Sequence, residues 1–238
     1  LQDLPPKRRV EIAGALDDER LADVLEEMDE DNRVELLAKL EGERAADVLG
    51  EMDPDDAADL LRELGQERAE ALIELMEPAD AEDVLRLMNY EDYSAGGMMT
   101  TEPIVMSVDY SVADALAAVR QKEISPALAS QIYIARQPLE TPTGRFIGTV
   151  HYQRLLREPP STLLGSIVDT DSKGVSPDAS LHEVSSHLAS YNMLSLPVVD
   201  ANGRLLGAIT VDDVLDHLLP ANWRHDHREK SPVAYKEV

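Results

Sequence analysis

The stretch EMDPDDAADLLREL, Glu51 to Leu64, places six carboxylates in fourteen residues. Side chains that offer only oxygen at this density suit a hard divalent cation, a basic partner or bulk water. No nucleophile with a base, no phosphate loop and no tight His/Asp/Glu metal motif accompanies them, so no enzyme is expected. The same stretch has to pack as well. Leu60, Leu61 and Leu64 fall at helical spacing and are expected inward, with Asp55, Asp56, Asp59 and Glu63 facing water or a partner. Few Lys or Arg stand at i+4 to these carboxylates, so their repulsion, screened by salt over about 8 Å, is one a bound divalent cation would relieve. A solvated acidic face is the competing reading. A second acidic pair, Asp213 and Asp216 in VDDVLD, lies three residues apart on one helix face. Asp213 suits equally a cap or first-turn position, where the helix dipole favours a carboxylate.

The elements that must carry these groups are legible from periodicity. Residues 5–88 divide without insertion into seven units of twelve: PPKRRVEIAGAL, DDERLADVLEEM, DEDNRVELLAKL, EGERAADVLGEM, DPDDAADLLREL, GQERAEALIELM and EPADAEDVLRLM. Apolar residues at positions five or six, eight, nine and twelve make the stripe of a short helix. Asp53 before Pro54 and Glu77 before Pro78 read as an N-cap followed by proline at the first helical position. A helix of about two turns is not stable alone. Stacked copies bury their stripes against one another, which predicts an α-superhelix.

Composition sets the outer limits. The 238 residues carry 22 basic and 47 acidic side chains, a formal charge of −25. Such a chain is repelled by nucleic acid and anionic lipid. Residues 1–93 alone hold 30 acidic against 10 basic groups, which marks off a first region. The absence of cysteine excludes a disulfide framework and favours a cytoplasmic setting. No apolar run approaches the roughly 18 residues of a membrane helix. A start at Leu1 is what a fragment of a longer chain would show.

Beyond YEDYSAGGMMT the pattern changes to short β-rich runs at 131–136, 145–150, 195–199 and 204–210, alternating with helical segments near 111–123, 152–157, 179–190 and 211–219. This region repeats internally. SVDYSVADALAAVR (107–120) aligns with SPDASLHEVSSHLA (176–189), and GRFIGTV (144–150) with GRLLGAI (203–209). The offsets differ by ten residues, placed in the first copy around ARQPLETPTG. Two α/β modules packed as a pseudo-symmetric pair are expected. SAGGMMT reads as a flexible joint, with Met98 and Met99 as packing residues.

This pattern resembles a cystathionine-β-synthase (CBS) domain pair, with LPVVDANGRLLGAITVDDVLD as a closing segment. Together with SAGGMMT and the acidic repeats ahead of it, the order resembles the cytosolic part of MgtE-type magnesium transporters. The resemblance covers about residues 5–219. It implies an acidic N-type domain over 1–92, CBS domains over 93–160 and 161–220, and a polar tail over 221–238. It further implies a module whose superhelix closes on the CBS pair around Mg2+ and gates a membrane pore, with a homodimer formed through the CBS pair. Carried over to this chain, the metal ligands would be Glu51, Asp55, Asp56, Asp213 and Asp216. Mg2+ keeps several waters and needs only one or two carboxylates from each side.

CBS pairs that bind adenine nucleotide show Gly-x-apolar-Ser/Thr-x-x-Asp. Gly207, Thr210 and Asp213 fit this pattern, whereas the first copy, Gly148 to Arg154, lacks both hydroxyl and carboxylate. ATP or another adenine nucleotide is thus a second expected ligand, and an adenine-nucleotide sensor using the acidic repeats as an interaction scaffold is the alternative function. His182 and His187 do not share a helical face, and His225 and His227 read as part of the polar tail. The chain departs from the transporter pattern after VDDVLD, where Pro220 is expected to end the last helix. Either the chain stops before the membrane part, or it belongs to a soluble relative that kept the sensor and lost the pore.

Overall fold

The computed structural model describes residues 4–121 and 124–219. Pro220, His225, His227 and the tail lie outside the described residues. Two compact units are present, one comprising residues 4–82 with 218–219 and the other 83–217.

In the first unit each twelve-residue repeat forms one helix: α1 (Pro6–Ala13), α2 (Asp18–Glu26), α3 (Glu30–Leu37), α4 (Gly42–Gly50), α5 (Pro54–Leu64), α6 (Gln66–Ile73) and α7 (Pro78–Met88), the last crossing the division between units. Helices two apart in sequence pack together, α2 on α4, α3 on α5 and α4 on α6. Leu21, Leu25, Leu36, Leu37, Leu49, Leu60 and Leu61 are buried in this stack. Each such leucine contributes about 1.5–3 kcal/mol relative to exposure, which stabilises helices too short to stand alone. Pro54 opens α5 as the sequence predicts, with Asp53 at the N-cap position. The Asp53 carboxylate makes no capping hydrogen bond, unlike Asp17, which accepts from the Arg20 amide at 3.1 Å.

The second unit holds β1 (Val105–Met106), α8 (Val112–Ala118), β2 (Gln131–Ala135), β3 (Phe146–His151), α9 (Tyr152–Leu155), α10 (Leu181–Tyr191), β4 (Ser195–Val199), β5 (Leu205–Thr210) and α11 (Val211–Leu218). β1 runs parallel to β2, which pairs antiparallel with β3, while β4 and β5 form a hairpin. The internal repeat reappears as paired hydrogen bonds. Thr100 and Ala208 exchange both backbone bonds, at 2.9 and 3.0 Å, and Asp169 and Thr149 do the same at 2.8 and 3.1 Å. Val175 meets Val198 in parallel as Met106 meets Ile134. Ser111 with Asp114 and Ser180 with Glu183 close matching capping boxes at α8 and α10.

Both repeat glycines answer to these crossings. A Cβ on Gly207 would lie 2.2 Å from the Thr100 carbonyl oxygen, and one on Gly148 would lie 2.0 Å from that of Asp169. The ten extra residues of the first copy are anchored: the buried Thr143 donates its amide to Leu205 O at 2.9 Å and accepts from the Leu205 amide at 3.1 Å. A polar group ties the two modules together, with Gln131 Nε2 donating to Tyr133 Oη at 2.8 Å and to Ser195 O at 2.9 Å. Complete burial pushes the Tyr133 hydroxyl up to about 12 against its bonds to Ser195 and Gln131.

SAGGMMT differs from its expected role. Instead of a flexible joint it is a buried turn, with the Ala95 amide on Ala179 O at 2.7 Å and the Gly96 amide on Pro177 O at 2.8 Å. Its glycines permit close packing, since a Cβ on Gly96 would lie 2.5 Å from the Tyr90 ring and one on Gly97 would lie 2.3 Å from Glu91 O. Met98 and Met99 are buried core residues, as expected. Among the described residues no helix is long and apolar enough to cross a membrane.

Candidate metal centre

Some acidic side chains of the first unit are neutralised by arginine. Arg33 on α3 reaches the α5 carboxylate of Glu63 with two nitrogens, Nε at 3.2 Å, and approaches Asp56 at 3.9 Å. Burial works against the Arg33 charge, but the hydrogen bond and the charge of Glu63 outweigh it and hold the guanidinium above its ordinary pKa. Asp59 pairs with Arg62 at 2.6 Å, one turn along the same helix. Glu63, expected to face water or a partner, is a half-buried ion-pair partner of Arg33 within the same unit.

Glu26, Asp53 and Asp56 converge in a cluster of their own, with Asp56 also near Arg33. Glu26 ends α2, Asp53 holds the N-cap position of α5, and Asp56 lies in the first turn of α5. One carboxylate oxygen from each falls within 4.8 Å of the others. The Asp53 amide donates to Glu26 Oε1 at 2.8 Å. Burial pushes the Glu26 carboxyl up to about 7, the charges of Asp53, Asp23 and Glu27 add to the rise, and the Asp53 hydrogen bond opposes it.

These donors fit a hard cation of the Mg2+ type. Octahedral coordination at about 2.1 Å sets neighbouring ligand oxygens about 3 Å apart and opposite ones about 4.2 Å apart, so a small contraction of the cluster completes half a shell and water supplies the rest. The ion would sit at the amino end of α5, where the helix dipole is unfavourable to it, so the carboxylate charge must supply the attraction.

The residues expected from sequence are distributed unevenly about this centre. Asp56 is part of it. Glu51 is exposed at the C-cap of α4 and lies outside the cluster. Asp55, expected outward, is 8% exposed, because α5 is covered on several sides by α3, α4 and α6, and its first turn is enclosed with Ala57 and Ala58. Asp213 and Asp216 lie on α11. Asp213 Oδ2 accepts from Thr210 Oγ1 at 2.5 Å and from the Thr210 amide at 3.2 Å, the arrangement of a helix cap. The hydroxyl and carboxylate of the nucleotide pattern thus hydrogen-bond each other. Glu26 and Asp53 are the members of the cluster that sequence reading missed. They are 27 residues apart, and the available signal was an N-cap Asp placed three repeats after a helix ending in glutamate.

Comparison with known proteins gives this geometry its family. Residues 1–93 match the model of the MgtE intracellular N domain, and residues 164–220 match that of the CBS domain. The magnesium transporter MgtE of Thermus thermophilus is 33% identical over 132 residues, 56% of this chain. The matched segment spans only 28% of the length of that relative. Among solved structures, the soluble part of a magnesium transporter superposes with a TM-score of 0.83 at 28% identity, covering 91% of this chain and 84% of the other. The cytosolic domain of the Mg2+ channel MgtE in complex with ATP follows at 0.79 and 29% identity, covering 91% and 86%. The chain is accordingly an MgtE intracellular N domain joined to a CBS domain pair, homologous to the MgtE magnesium transporters and sharing the fold of their soluble cytosolic part.

Proposed function

We propose that this chain is a Mg2+-sensing regulatory module, non-enzymatic and cytoplasmic, of a magnesium-transport system. The observation that carries the reading is the convergence of Glu26, Asp53 and Asp56 in a unit with a large excess of negative charge. A divalent ion there removes repulsion that the fold otherwise tolerates, so ion binding and the conformation of the acidic unit are linked. On this reading the superhelix closes on the CBS pair when Mg2+ is abundant, with Glu51, Asp55, Asp56, Asp213 and Asp216 among the carboxylates engaged. The CBS pair is the dimerisation element, and a membrane pore domain is the effector.

The test is a Mg2+ titration by calorimetry and small-angle scattering, with Ca2+ in parallel. Saturable binding with a smaller radius of gyration is expected. Unchanged dimensions across the millimolar range would overturn the sensing role.

Adenine nucleotide is the second reading, favoured by the 29% identical MgtE domain solved in complex with ATP. On this reading ATP raises the melting temperature, and Thr210→Ala abolishes the rise.

A further inference from the structure

Helix α7 is divided between the two units, with Glu82 the last of its residues in the first and Asp83 the first in the second. Four residues of the second unit close a ring on its second half. Arg86 Nη2 pairs with Asp83 Oδ1 at 2.5 Å, one turn earlier on α7, and Arg86 Nη1 donates to Thr141 O at 2.7 Å. Arg86 Nη2 also donates to Thr141 Oγ1 at 3.2 Å, and that hydroxyl donates in turn to Thr101 O at 2.7 Å. Thr101 Oγ1 completes the ring by donating to Asp83 Oδ2 at 3.3 Å.

Thr141 belongs to the connection between β2 and β3, residues 136–145, whose counterpart between β4 and β5 is the much shorter stretch 200–204. The longer connection is a strap with two attachments. One is the buried Thr143, which exchanges hydrogen bonds with the backbone of Leu205 on β5. The other is Thr141 on Arg86, and it is the weaker of the two. Thr141 is only half-buried, and Arg86 Nε is buried without a hydrogen-bond partner. Closing the ring therefore strips water from one guanidinium donor and gives it nothing in return, which offsets part of what the other bonds contribute. The ring is also cooperative, since each of its four members holds the next in place. Losing Arg86 from Thr141 frees the second half of α7 from the strap at once, while Thr143 keeps the strap on β5.

We infer that residues 136–145 are a clasp, closed on α7 through Arg86, whose opening and closing regulates whether the second half of α7 is held by the CBS pair. Arg86 is the positioning residue of this device, and Asp83, Thr101 and Thr141 are its receptors. The clasp itself stands on the ring; its regulatory role rests on the proposed Mg2+-driven change of conformation. With α7 held, that change starts from an ordered helix and needs less Mg2+.

The experiment combines hydrogen exchange, read by mass spectrometry, with small-angle scattering over a Mg2+ series on the full chain. In Mg2+-free buffer Arg86→Ala should speed exchange in residues 84–90 about tenfold, as for loss of a charge-assisted hydrogen bond, and leave residues 206–209 of β5 unchanged. Arg86→Lys, which keeps the charge but not the forked geometry, should fall between wild type and Arg86→Ala. Thr141→Val, which removes the hydroxyl and keeps the carbonyl, should give a smaller increase than Arg86→Ala. The Mg2+ midpoint for compaction should rise several-fold in Arg86→Ala. Exchange in 84–90 that ignores Arg86→Ala overturns the clasp, even where wild type compacts with Mg2+. Faster exchange with an unchanged compaction midpoint upholds the clasp and overturns its regulatory role. Faster exchange in a chain whose dimensions ignore Mg2+ does the same, and there it is the sensing reading that has failed.

Discussion

The amide of Asp53 donates a 2.8 Å hydrogen bond to Glu26 Oε1, joining the first residue of one repeat to the end of a helix 27 residues earlier. This contact places a carboxylate that titrates near neutrality beside two others, which couples proton, metal and fold in one small region.

Glu26 should make the acidic unit less stable as pH rises. Its folded pKa, about 7, is above the ordinary 4.5, so the folded state holds the proton more tightly than the unfolded chain. The stabilising contribution is complete below about pH 4.5 and is lost as pH climbs through 7. Glu26→Gln removes the dependence and should stabilise the protein at pH 8 by on the order of 2 kcal/mol. Denaturant midpoints for both proteins at pH 5 and pH 8 check this, and parallel curves would exclude it.

Mg2+ should act in the opposite sense. Because the metal competes with the Glu26 proton, affinity should rise between pH 6 and pH 8. Asp53→Asn and Asp56→Asn should each weaken binding about tenfold or more and flatten the gain in melting temperature. Thermal melts over a Mg2+ series at the two pH values measure both effects.

Removing Arg33 should be costly. Arg33→Ala leaves Glu63 half-buried without its bidentate partner and Asp56 without a neighbouring cation, a loss of about 3 kcal/mol. Glu63→Gln in the same background should recover much of it. Urea unfolding of the single and double variants provides the comparison, and a neutral single substitution would show the pair to be dispensable.

The crossing glycines offer a packing test. Gly148→Ala and Gly207→Ala each force a methyl group against a carbonyl oxygen at 2.0 and 2.2 Å. Each should destabilise the CBS pair by about 1–3 kcal/mol or more. Gly203, where nothing lies within 4 Å of an added Cβ, should respond only through its φ of +77°. Melting temperatures of the three variants rank the effects.

The nature of the Thr210–Asp213 contact can be read from stability alone. As a helix cap, Asp213→Ala should cost about 1 kcal/mol with no ligand present. A ligand residue with no capping role would leave apo stability unchanged.

Much of this protein is written in local periodicity. Twelve-residue spacing of leucines, with proline after Asp53 and Glu77, determined seven helices, because a short amphipathic helix is specified by its own stripe and its own first turn. Strands β2 to β5 and the matching capping boxes were equally local, and their repetition announced a pair of modules. The two-residue strand β1 was not legible, since its pairing with β2 depends on a partner 28 residues away.

Charge told less than it promised. A carboxylate's sequence neighbours do not reveal whether it will be exposed like Glu51, enclosed like Asp55, paired across helices like Glu63, or gathered like Glu26, Asp53 and Asp56. SAGGMMT was misread for the same reason: its glycines suggested freedom, but they serve contacts with Tyr90 and Glu91 that appear only after folding. The sequence by itself determined the helices, the strands, the repeats and the excess of negative charge. Tertiary structure alone decided which charges meet, because residues 27 or more apart acquire common solvent, common counterions and shifted proton affinities only when stacking brings their helices together.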